Sequence, residues 1–118
     1  MSKRALLVED ELLVAFDLQD IIEGVGLLVD GPHVDIAGAN IALNHAMPDI
    51  AILDVLLRDG DVFPIADRLN EHGIAIIFHS GHADQADLSS RYPAAAICSK
   101  PCSPVLFAQT IERLIEGR

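Results

Sequence analysis

Five polar residues interrupt the apolar pattern of this sequence in the same way. Glu9 and Asp10 follow the run Ala5–Val8, and Asp54 follows Ile50–Leu53. Ser80 comes two residues after Ile74–Phe78, and Lys100 two residues after Ala94–Cys98. If those runs are strands, three carboxylates, one hydroxyl and one ammonium gather where the strands end. Carboxylates held within a few ångströms repel, and without compensation at least one pKa rises. A hard divalent cation removes that conflict, and Mg²⁺ takes a few carboxylates while keeping water and phosphate oxygens. A strand-end carboxylate can also attack phosphorus and form an aspartyl-phosphate. The transferred group then needs positive charge and hydrogen-bond donors, which Mg²⁺, Lys100 and the Ser80 hydroxyl supply. Three carboxylates, Lys100 and one Mg²⁺ together carry no net charge.

The elements that position these residues follow from periodicity. The runs Ala5–Val8, Gly26–Val29, Ile50–Leu53, Ile74–Phe78 and Ala94–Cys98 are too short for core helices, and Gly, Pro, Asp or Ser bound them. Their hydrophobicity is continuous rather than alternating, so both faces are covered, as in a parallel sheet. Helix-period stretches lie between them. The first puts Leu12, Leu13, Phe16, Ile21 and Ile22 on one face and ends at Gly24 or Gly26. The second spans about Val34 to Met47, before Pro48. The third spans about Val62 to His72, with Asp61 as cap and Gly73 beyond. A fourth, poor in apolar residues, covers about Ala83 to Tyr92. The fifth opens at Ser103-Pro104 and carries Phe107, Ile111, Leu114 and Ile115. Five β–α units make an α/β, doubly wound domain, whose chemistry sits at the carboxyl ends of the strands. Taken singly, each polar residue has an ordinary reading as cap, turn or loop. Their conjunction on one edge points to a site.

Composition bounds the rest. The 118 residues are 51% hydrophobic, enough for one domain over 1–118 and too many for a disordered acidic tail. With 18 acids against 8 bases and a formal charge of −10, direct nucleic-acid or membrane-surface binding is not expected. No apolar stretch reaches a membrane-spanning length, and Ala5–Val8 is too short for a secretory signal. Cys98 and Cys102 therefore read as reduced thiols of a cytoplasmic protein.

The stretches ALLVEDE, DIAILDVLL, IIFHSGH and SKPCSP resemble, in order and spacing, the four signatures of response-regulator receiver domains of two-component signalling. The resemblance covers essentially the whole chain. It implies a flavodoxin-like, five-stranded parallel sheet of order 2-1-3-4-5, acting as a stand-alone receiver. It makes Asp54 the phosphoacceptor, served by a histidine kinase or histidine phosphotransfer protein. Asp10 would hold Mg²⁺ directly, Glu9 through water, and Leu56 through its backbone carbonyl. Ser80 matches the switch hydroxyl and Lys100 the phosphoryl-binding lysine, with Lys100-Pro101 a cis peptide bond. Phosphorylation would then alter a partner-binding face on the fourth helix, fifth strand and fifth helix.

The sequence departs from the family pattern at three places. Ile97 stands where an aromatic switch residue is usual. The loop after Asp54, VLLRDGDVFP, is shortened. Cys102 stands where an aromatic commonly follows Lys-Pro. Leu56 would place an apolar side chain at the site mouth, where it cannot position a hydrolytic water, so slow self-dephosphorylation is expected. His82, two residues after Ser80, is an exposed loop residue or a pH-sensitive modulator. Two rivals remain: a receiver-like interaction module that never takes phosphate, and a phosphatase forming an aspartyl-phosphate. The phosphatase would carry a second Asp two residues after its nucleophile, where this chain has Leu56, so no catalytic turnover is expected. A dinucleotide site fails for want of G-x-G-x-x-G after the first strand.

Overall fold

In the computed structural model, residues 3–81 and 85–116 are described. They form β1 (Arg4–Val8), α1 (Leu12–Gly24), β2 (Leu28–His33), α2 (Ile36–His45), β3 (Ile50–Asp54), β4 (Leu56–Leu57), β5 (Gly60–Asp61), α3 (Phe63–Glu71), β6 (Ala75–Ser80), α4 (Gln85–Arg91), β7 (Ala96–Ser99) and α5 (Pro104–Glu116). The main sheet runs β2-β1-β3-β6-β7 and its pairings are all parallel. The expected 2-1-3-4-5 order is therefore present, with β6 and β7 as fourth and fifth strands. The addition is the small antiparallel hairpin β4–β5, which fills the shortened loop after Asp54.

Alternation along the strands sends side chains to two cores. Leu6, Val8, Ala51, Leu53, Ile76 and Phe78 pack with residues of α2, α3 and α4. Ala5, Leu7, Ile50, Ile52, Ile77 and Cys98 pack with Ala15, Leu18 and Ile22 of α1 and Phe107 and Ile111 of α5. Two residues beyond Leu7, Ile52 and Ile77 come Glu9, Asp54 and His79, so the pleat sends all three toward the α1/α5 side.

Two expectations need correction. The second strand lies at Leu28–His33 rather than Gly26–Val29. Gly31 and Pro32 look like loop punctuation, yet Gly31 has φ 130° and a Cβ there would stand 2.5 Å from the Leu7 carbonyl oxygen. Only glycine fits that close approach, the register to β1 shifts between Leu6 and Val8, and β2 is an edge strand, where proline is tolerated. The Gly31-Pro32 bond is cis. Second, α1 buries Ala15, Leu18 and Ile22, while Leu12, Leu13 and Phe16 are 51%, 82% and 52% exposed. This helix carries more apolar residues than one stripe can hold, and the small Ala15 lets it lie close to the sheet.

α2 is shorter than expected by two residues at each end and α3 by one. α4 ends at Arg91, its expected start at Ala83 lies outside the described residues, and α5 begins at Pro104 as expected. Asp35 caps α2, accepting from Gly38 N at 2.8 Å. At the head of α3 the capping position is Val62 rather than the expected Asp61, which lies one residue earlier and accepts from Phe63 N at 3.1 Å. The fifth strand is Ala96–Ser99, because Ala94 and Ala95 belong to the turn after Tyr92. Among the described residues no helix is long and apolar enough to cross a membrane.

The two apolar sets on α1 should separate in urea unfolding. Ile22→Ala should cost about 2–5 kcal/mol, whereas Leu13→Ala should stay within about 0.5 kcal/mol of the native chain.

Candidate phosphoacceptor and metal site

The carboxyl edge of the sheet collects the residues that the strand-end pattern singled out. In the register, Val8 is beside Leu53, Asp54 beside His79, and Ser80 beside Ser99. Glu9, Asp10 and Asp54 each bring a carboxylate oxygen within 4.8 Å of the others. Glu9 is fully buried and Asp54 is 7% exposed, so these are not solvated surface acids. Lys100 reaches back over them, with Nζ 3.2 Å from Asp54 Oδ1 and 3.5 Å from Glu9 Oε1. Glu11, on the exposed side, is 3.8 Å from the same ammonium.

Local backbone fixes each group. Asp54 Oδ1 accepts from Val55 N at 2.8 Å, and Glu9 Oε2 from Glu11 N at 3.2 Å. Lys100 N donates to the Ser80 carbonyl at 2.8 Å, which ties the β7 loop to the end of β6. The Lys100-Pro101 bond is cis, as the resemblance implied. Ser80 is 1% exposed and its hydroxyl donates to the Gly81 carbonyl at 3.2 Å. Its hydroxyl is thus bonded to its neighbour's carbonyl rather than to Asp54. Leu56 is 70% exposed, two residues beyond Asp54, and Ile97 packs half-buried against the α2–α4 core. His82 lies outside the described residues.

The electrostatics follow from crowding. Burial and the neighbouring Glu9 push the Asp54 carboxyl up to about 7, against the pull of Lys100. Burial also opposes ionisation of Glu9, but contacts with His79 and Asp54, the Glu11 N–H and the charge of Lys100 outweigh it and hold it at about 2. Burial works against the charge on Lys100, and Asp54 and Glu9 overcome it, raising Lys100 above the ordinary lysine range. Without a divalent cation, the Glu9–Asp54 pair thus keeps one proton to higher pH than an ordinary Asp.

The donor set fits a hard divalent cation. Three carboxylates converge, and Glu9 Oε1 is buried without a hydrogen-bond partner. Sequence reasoning passed over one residue here. His79 is 5% exposed, and its Nδ1 stands 3.7 Å from that orphaned Glu9 oxygen. Strand parity with Asp54 was the available signal. Cys98 and Cys102 are free thiols beneath this edge, and burial together with Cys98 pushes Cys102 up to about 12, leaving it an inert packing group.

An open parallel sheet with this acid cluster and lysine at its carboxyl edge defines a receiver domain of two-component signalling. Comparison with known proteins gives the same class. No family model matches the chain. It is 31% identical to SdrG from Sphingomonas melonis, whose solution structure it matches with a TM-score of 0.81 over 97% of each chain. It is 28% identical to the signal receiver domain of a histidine kinase from Syntrophus aciditrophicus, with a TM-score of 0.81 over 98% of this chain and 92% of that one. It is also 26% identical to the phyllosphere-induced regulator PhyR of Methylorubrum extorquens, over 98% of this chain but 44% of that protein. The chain therefore spans less than half the length of that relative. It belongs to the receiver-domain family of response regulators.

Proton linkage gives a test of the crowded pair. Asp54 has a raised folded pKa, so without a cation its contribution to stability is present below its ordinary value of 3.8 and is lost as pH rises toward about 7. Glu9 acts oppositely, losing its contribution only as pH falls from 4.5 toward about 2. In EDTA, Asp54→Asn should therefore raise Tm relative to the native chain more at pH 8 than at pH 5. Thermal melts at the two pH values check this.

Proposed function

We propose that the chain is a single phospho-accepting receiver domain, phosphorylated on Asp54 by a histidine kinase or histidine phosphotransfer protein in the cytoplasm. The observation that carries this reading is the convergence of Glu9, Asp10 and Asp54 with Lys100 Nζ 3.2 Å from Asp54 Oδ1. The residues that would hold Mg²⁺ are Asp10, Asp54 and Glu9, with the Leu56 carbonyl. Bound there, Mg²⁺ supplies positive charge to the carboxylates and to the oxygens of the incoming phosphoryl group.

The rest of the reaction belongs to the chain. Val55 N–H and Lys100 orient the Asp54 carboxylate. One carboxylate oxygen attacks phosphorus of the donor phosphohistidine, the N–P bond breaks, and the imidazole leaves with the bonding pair. Lys100 then pairs with the new phosphoryl oxygens. The Ser80 hydroxyl, freed from the Gly81 carbonyl by rotation about χ1, donates to one of them. Those shifts at β6 and β7 reach the face built by α4, β7 and α5, which we assign to a downstream protein.

A donor must cover the sheet edge to reach Asp54, and exposed apolar residues stand along that edge's connections. Leu12 and Leu13 begin α1, Leu56 follows Asp54, and Val105 and Leu106 begin α5. These favour a protein donor, docked on apolar surface, over a soluble phosphate ester, and Leu56 in place of a second Asp argues against phosphatase turnover.

Incubation with Mg²⁺ and acetyl phosphate should add one phosphoryl group by mass spectrometry. EDTA or Asp54→Asn should abolish the adduct. An unmodified native chain would support the pure interaction module instead. The isolated phosphoprotein should lose its phosphate slowly, because the apolar Leu56 offers an attacking water no hydrogen bond. Decay within seconds, followed by mass after removal of acetyl phosphate, would sink that expectation.

A further inference from the structure

We propose that His79 is a positioning residue of this site: it holds the Glu9 carboxylate against Asp54 and thereby sets the affinity for the divalent cation. The inference rests on the receiver reading above and adds a residue to it.

Three observations carry it. His79 continues the strand row of Asp54, and its pleat direction is that of Asp54 and Glu9. Its ring is fixed rather than free: 5% of the residue is exposed, and Phe107 of α5 packs against the ring edge-on, with centroids 6.0 Å apart at 89°. Third, two buried atoms that lack hydrogen-bond partners face each other, His79 Nδ1 and Glu9 Oε1, 3.7 Å apart. Buried polar atoms rarely stay unpaired, because each forgoes its hydration without replacement. A closure of less than 1 Å turns this pair into a hydrogen bond of ordinary length, with Nδ1–H donating.

Geometry also separates the roles. Lys100 is a flexible, partly exposed cation shared among Glu9, Glu11 and Asp54, and it must turn to the phosphoryl group. When it does, Glu9 keeps the Glu11 N–H on Oε2 but loses the ammonium charge that stood 3.5 Å from Oε1. A strand-borne imidazole packed on Phe107 does not follow Lys100 and remains beside that oxygen. Residues that support metal ligands in this way alter metal affinity by about 10–100-fold when removed.

The test is calorimetric titration of the full chain with Mg²⁺. His79→Ala and His79→Leu should weaken binding by about 10–100-fold. His79→Asn, whose amide nitrogen can stand where Nδ1 stands, should recover most of the loss. Melts in EDTA separate fold from site: Leu refills the volume against Phe107, so it should keep a near-native Tm while still binding Mg²⁺ weakly. Undiminished affinity in His79→Leu overturns the proposal, as does an Asn variant that binds no better than Leu. Asp10→Asn serves as the control for the reading beneath it. A native chain that binds no Mg²⁺, or an Asp10→Asn chain that binds like the native one, overturns that reading and this proposal together. Native binding with an unaffected His79→Leu overturns the role of His79 alone.

Discussion

Two carboxylates buried side by side set the terms for this structure. Strand alternation leaves no choice: a parallel sheet whose β1 and β3 end in step places Glu9 and Asp54 on one face, in neighbouring rows. Burying a charge without a partner is costly, and breaking such a cluster leaves an uncompensated charge behind. The surrounding features answer that cost. Backbone N–H groups of Val55 and Glu11 each take one carboxylate oxygen, Lys100 is carried back over the edge by the β7 loop, and one proton is retained near neutral pH. A divalent cation would relieve the same crowding more completely. The site is thus primed by its own electrostatic conflict.

The loop that follows Asp54 shows how a shortened connection can still be well placed. Val62 N donates to the Val55 carbonyl at 2.8 Å, closing the β4–β5 hairpin at its base. At its tip Asp59 accepts from Ile36 N at 2.9 Å and Ala37 N at 3.3 Å, the free donors at the head of α2. Those N–H groups, Ile36 foremost, hold the Asp59 carboxyl below its ordinary range. The hairpin carrying Leu56 is therefore fastened both at Val55, next to Asp54 at the end of β3, and to the first turn of a helix 23 residues away.

Order and identity of the elements were legible because each strand is a dense apolar run and each helix has its own stop. The site was legible for a related reason: Glu9, Asp10, Asp54, Ser80 and Lys100 all end such runs, and a parallel sheet gives those ends one meaning. What stayed hidden depends on tertiary contact. Gly31-Pro32 reads as a loop until Leu7 is seen against it. Leu12, Leu13 and Phe16 read as core because hydropathy counts apolar residues without saying which stripe the sheet accepts. The hairpin needs two-residue strands that no period reveals. His79 was missed because it falls between the apolar run Ile74–Phe78 and Ser80, where it reads as the first residue of a turn; only its register with Asp54 gives it a place in the site.

The absence of an aromatic at position 97 moves the output question to α4. Ile97 is half-buried against the core here, and its branched side chain has no ring to rotate between inside and outside. The tyrosine that stacks near this edge comes from just beyond α4: Tyr92 lies 5.3 Å from Phe78 and 6.2 Å from Phe63, ring centre to ring centre, and its hydroxyl donates to Asp67 of α3 at 2.5 Å. Arg91 covers the same Phe63 ring at 3.8 Å. The other end of α4 is held by the Gln85 amide on the Ser99 hydroxyl, one residue before Lys100. The helix is thus pinned at its far end to α3 and at its near end to the strand that delivers the lysine. Between those attachments α4, seven residues long, buries one side chain of its own, Leu88. α4 is thus tied to the site edge through Ser99 and to α3 through Tyr92, while β7 contributes no ring at position 97.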